Sequence, residues 1–84
     1  MNDIARAWHA ALLALAEARE SHAHGADTET VLDLLRHARE LIEIIEEEIN
    51  QEREKFPDPD VVRMAAAELR KRVDAAAARL LPLH

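Results

Sequence analysis

Five histidines, His9, His22, His24, His37 and His84, are the residues of this 84-residue chain best equipped for chemistry. A neutral imidazole nitrogen ligates zinc, nickel, copper or haem iron. Such a site needs several rings to converge, so the helices that carry them decide which can meet. Little else in the chain offers reactivity. There is no cysteine, hence no disulfide and no thiolate metal site. Ser21 is followed by His22, but neighbouring residues on a helix diverge, so the two form no nucleophile and base pair. No phosphate loop, dinucleotide fingerprint, HExxH helix or EF-hand loop is present. An ExxH pair of the di-iron bundles is also missing. No acid, base and nucleophile converge, and no catalytic residue is assigned.

The elements that must position these rings are helices. The central one starts after Asp27, whose carboxylate can accept from free N–H groups of the first turn. Val31, Leu34, Leu35, Ala38, Leu41, Ile42, Ile45, Ile49 and Phe56 then recur at spacings that mark one face of a helix, which the pattern carries to about Lys55. Such a helix is roughly 40 Å long. FPDPD stops it, because each proline disfavours helical backbone in the residue before it. His37 and Ile44 sit seven residues apart, off this stripe and beside Leu41.

The first helix spans Asp3 to about Ala23. Its main face holds Ile4, Trp8, Ala11, Leu12, Leu15, Ala18 and His22; Ala5, His9, Leu13 and Ala16 form a neighbouring apolar face. An apolar arc this wide implies burial on more than one side. Trp8 is a core or interface anchor. Gly25 suits the left-handed residue beyond a helix end. The third helix is capped by Asp58, opens on Pro59 and runs to about Leu81, with a stripe of Val62, Ala65, Ala66, Leu69, Val73, Ala76 and Leu80. Val61 and Met64 lie off it. Two short joints imply a single all-α domain over residues 1–84, an up-down-up three-helix bundle that oligomerises.

Composition narrows the class. The net charge of −6 excludes a general nucleic-acid binder, which needs a basic face. No run approaches the roughly 18 apolar residues of a membrane span. With no secretory signal at the N-terminus, the expectation is a soluble, cytoplasmic protein. Thr28 to Lys55 carries a net −5 and Pro59 to Leu81 a net +2, which favours antiparallel pairing of the second and third helices. In RHARELI, His37 lacks the following acid and later proline of a phosphoacceptor helix.

Alanine supplies 17 residues, glycine one, and breakers stand only at the joints. Local propensity and global pattern agree throughout. In ADTETV, FPDPDVV and AAAELRKRVDAAAARL the chain resembles computationally designed, idealised helical bundles. An Ala/Arg-rich protein of a high-GC bacterium has a similar texture, and arginine outnumbers lysine nine to two.

Two functions follow. The first is a scaffold or association module, a homo-oligomer or a binder of a helical protein, meeting its partner through Trp8, His9, Leu13, His37, Leu41, Ile44, Val61 and Met64. The second is a transition-metal or haem protein. Antiparallel geometry puts His22, His24 and His84 at one end, a three-histidine zinc arrangement with an open fourth position. His9 and His37 would instead act across subunits, or ligate a porphyrin on the alanine surface.

Overall fold

The computed structural model describes residues 3–81. Among them three α-helices follow in order, α1 (Asp3–Ala23), α2 (Thr28–Gln51) and α3 (Pro59–Leu80), with a single 3-10 turn at Arg53–Lys55. The expected all-α three-helix bundle is present.

Both acidic caps form. The Thr30 amide donates to Asp27 Oδ1 at 2.9 Å, and the Val61 amide donates to Asp58 Oδ1 at 3.3 Å. α1 closes with Gly25 at φ 82, while Ala26 N–H donates to the Ser21 carbonyl and Gly25 N–H to the His22 carbonyl. This double closure satisfies carbonyls that would otherwise be orphaned. One boundary differs from the sequence pattern: α2 ends at Gln51, not at Lys55. Glu52 leaves helical backbone, and the tighter 3-10 turn that follows brings Phe56 inward. Phe56 packs there against the cluster of Ile4, Ile45 and Ile49.

The buried residues explain the packing. α2 buries Val31, Leu35, Ala38, Ile42, Ile45 and Ile49; α1 buries Ile4, Ala7, Ala11, Ala14, Leu15 and Ala18. Apart from Leu15, which adjoins Ala14, spacings alternate between three and four, the 3.5-residue period of a left-handed coiled-coil seam. α3 follows with Ala66, Leu69, Val73 and Ala76. Here the sequence pattern of α1 needs correction. Ala7 and Ala14 are buried, whereas Leu12 is 39% exposed and His22 is exposed. The alanines of α1 face the isoleucines of α2, because small side chains let the two axes come close. The face expected around Trp8 and Leu12 is thereby turned to the edge of this contact.

The three helices do not close a triangle. α2 packs extensively on both neighbours, and α1 meets α3 only slightly. The envelope measures 44 × 25 × 15 Å. Both neighbours lean on the single buried stripe of α2, Val31 to Ile49, and the contact between α1 and α3 stays slight.

Antiparallel pairing of α2 and α3 is tied by Arg39–Asp74 at 2.6 Å, Arg53–Asp60 at 3.8 Å and the close pair Arg70–Glu46. Arg63 also donates to Asn50 Oδ1 at 2.8 Å. Only Arg70–Glu46 joins a basic residue of α3 to an acid of α2; the other two ion pairs run the opposite way.

Candidate interaction face

Among the described residues, no three histidines come together. His9, His22, His24 and His37 are all exposed, and His84 lies outside the described residues. His24 Nδ1 stands 2.9 Å from the Glu20 carbonyl oxygen, so the ring N–H donates to the end of α1 and acts as a cap. His22 and His24 open onto different hollows. His22 shares one of about 450 Å³ with Thr28, Arg79, Leu80 and Leu81, where the Arg79 guanidinium opposes a cation. His24 shares the other with Glu17, Glu20 and Ser21. Among the described residues, no three His, Asp or Glu groups come together as a metal ion would need.

An acidic corner sits at the opposite end. Asp3, Glu48 and Glu52 surround a hollow of about 450 Å³ with Lys55 and Phe56. The Glu52 charge pushes the Glu48 carboxyl above the ordinary glutamate range; desolvation adds to this and Lys55 opposes it. On the α2–α3 flank the Glu46 hydrogen bond holds the Arg70 guanidinium even more firmly protonated than usual.

The exposed apolar residues form the more continuous feature. Trp8 and Leu12 of α1 enclose a hollow of about 250 Å³ with Ala65, Glu68, Leu69 and Arg72 of α3. A second, of about 190 Å³, lies farther along between Arg19 and Ala75, Ala76, Arg79 and Leu80. Together they trace an open groove where α1 and α3 fail to meet. Val61, four residues before Ala65, continues its α3 wall, and Met64 stands at the border, 72% exposed.

The residues expected to form one interface therefore divide. Trp8 lines the groove, and Val61 and Met64 flank it. Leu13 lies about 100° farther round α1 than Leu12, away from α3. His9 is also off the groove. On α2, His37 and Ile44 remain exposed beside Leu41, which is half-buried and packs on the core. In the sequence Leu12 has the spacing of plain core, and Glu68 and Arg72 interrupt the apolar stripe of α3. The signal that marks them is their own spacing, four residues apart and in line with Ala65 and Ala75.

No described helix is long and apolar enough to cross a membrane. Compared with family models, curated proteins and solved structures, the chain matches none.

Proposed function

We propose that this chain is an association module, an idealised helical scaffold that self-associates through the uncovered face of α1 and α3. The observation that supports this reading is the groove itself. Trp8 and Leu12 line it with water on one side, and Leu12 is 39% exposed, whereas α1 buries Ala11, Leu15 and Ala18 against its neighbours. Covering such a groove removes apolar surface from water at about 25 cal/mol per Å². A fourth and fifth helix laid over α1 and α3 would cover the groove between them.

The test is the solution mass by light scattering across the micromolar range. The wild type is expected to exceed the monomer mass, and Leu12→Glu to return it to the monomer, because a charge would be desolvated at the seam. Leu13→Glu with Ile44→Glu, on the other side of α1 and α2, is expected to leave the mass unchanged. A wild type that stays monomeric at high micromolar concentration overturns the proposal.

A further inference from the structure

The wall of α3 that faces the groove carries a second regular repeat. Val61, Ala65, Glu68, Arg72, Ala75 and Arg79 are spaced four, three, four, three, four. That is the same 3.5-residue period as the buried seams, which a helix keeps when it lies against another helix along its length. The seam reads symmetrically about its midpoint: alanine against alanine, glutamate against arginine. On the α2 side of α3, Asp60, Arg63, Arg70 and Asp74 all have partners on α2 or in the turn after it. Among the described residues, Glu68, Arg72 and Arg79 have no ion-pair partner in their own chain.

From this we infer that the groove is filled by a second copy of the chain, docked antiparallel about a twofold axis level with the midpoint of Glu68 and Arg72, so that Glu68 of each copy meets Arg72 of the other. The inference rests on the self-association proposed above and names its occupant and register.

A twofold axis across the helices places α3 against α3 and α1 against α1, both antiparallel, an isologous contact. With the axis at that level, Ala65 faces Ala75 of the other copy. Two alanines there let the α3 helices approach closely. Val61 comes beneath the stem of the other Arg79, whose methylenes can cover it while the guanidinium stays in water. On α1, Leu12 lines the same hollow as Glu68, Leu69 and Arg72, so it stands level with the axis and meets its own symmetry mate. Trp8, one turn away, then lies over Ala16 of the other copy, a large side chain on a small one.

Extent and charge both suit a second copy. The face is about 30 Å long and two helices, about 20 Å, wide. That is roughly 600 Å² in plan; its corrugation brings it near the ~800 Å² each partner buries in a standard interface. Two Glu68–Arg72 pairs form per dimer, whereas a parallel pairing leaves each charge opposite α1. Antiparallel packing also sets opposite helix dipole ends side by side.

The chain has no cysteine, so single-cysteine variants report the register directly. A65C mixed with A75C is expected to give the mixed disulfide on oxidation, while A65C alone gives none. Glu68→Arg should weaken dimerisation at least ~10-fold through like charges. The charge swap E68R/R72E should restore it to within about threefold, because the pair is merely reversed. Circular dichroism of each variant separates lost pairing from lost folding, and the cysteine experiment stands even if a charge variant unfolds. A disulfide in A65C alone overturns this arrangement while leaving self-association intact. So does the absence of the mixed disulfide from a dimeric sample. A monomeric wild type overturns both.

Discussion

Single residues set the ends of the helices, and their effects are readable by pH and substitution. Hydrogen bonds from Thr30 hold the Asp27 carboxyl below the ordinary aspartate range. A depressed folded pKa means that the ionised cap stabilises the fold above the unfolded value of about 3.9, and that this contribution is lost as pH falls through the lower folded value. Glu48 has the opposite sign. Its folded pKa is raised by Glu52, so the neutral form is favoured, and the repulsion sets in as pH rises through the acid range. Asp27→Ala should therefore lower the urea midpoint at pH 7, by less as pH falls through the acid range and the carboxylate is protonated. Glu48→Gln should raise the midpoint at pH 7. An unchanged midpoint in either variant at pH 7 would contradict these assignments. Gly25 is the third such residue. Nothing stands within 4 Å of where its Cβ would be, yet φ is +82. Gly25→Ala should thus destabilise by about 1 kcal/mol through backbone strain alone, measured in the same denaturant series.

At the scale of the element, the packing of α1 on α2 is a contact of alanines with branched side chains. Ala11 and Ala38 have no solvent exposure, and neither does Ile42. The two kinds of position should fail differently. Ile42→Ala leaves a cavity and should cost about 3 kcal/mol. Ala38→Leu forces the axes apart and should cost about 1–3 kcal/mol despite adding apolar surface. Urea unfolding of the two variants checks both; an Ala38→Leu protein more stable than wild type would mean that α1 and α2 are not closely packed. Across α2 and α3, Arg70 and Glu46 are each only about one-third exposed. A double-mutant cycle on this pair should give a coupling of about 1 kcal/mol, larger than for exposed Arg36–Asp33.

For the whole molecule, the proposed self-association through the groove ties stability to concentration. If two copies close the groove, mass action stabilises the folded dimer as protein is added. The thermal midpoint should climb steadily between about 1 and 100 μM, and Leu12→Glu should flatten that dependence. A concentration-independent midpoint in the wild type would indicate a monomer with an uncovered groove.

The helices were legible in the sequence because their causes are local. Asp27 and Asp58 cap, Pro59 opens, Gly25 closes, and apolar residues return every three or four positions. Such signals act within a few residues and need no partner. The end of α2 was less legible, since Phe56 turns inward to a core built by Ile4, far away in the chain. The burial of Ala7 and Ala14 in place of Leu12 was likewise a tertiary decision. An alanine is equally at home in water and in a close seam, and only the approach of α2 chose between them. The candidate site was legible in pieces. Trp8, Val61 and Met64 stood out as surplus apolar residues. Their separation from Leu13 and Ile44 depended on how the helices are rotated against one another, and periodicity within one helix carries no such information. The groove exists because α2 holds both neighbours while α1 and α3 stay apart, a relation between three helices that no single stretch of sequence encodes.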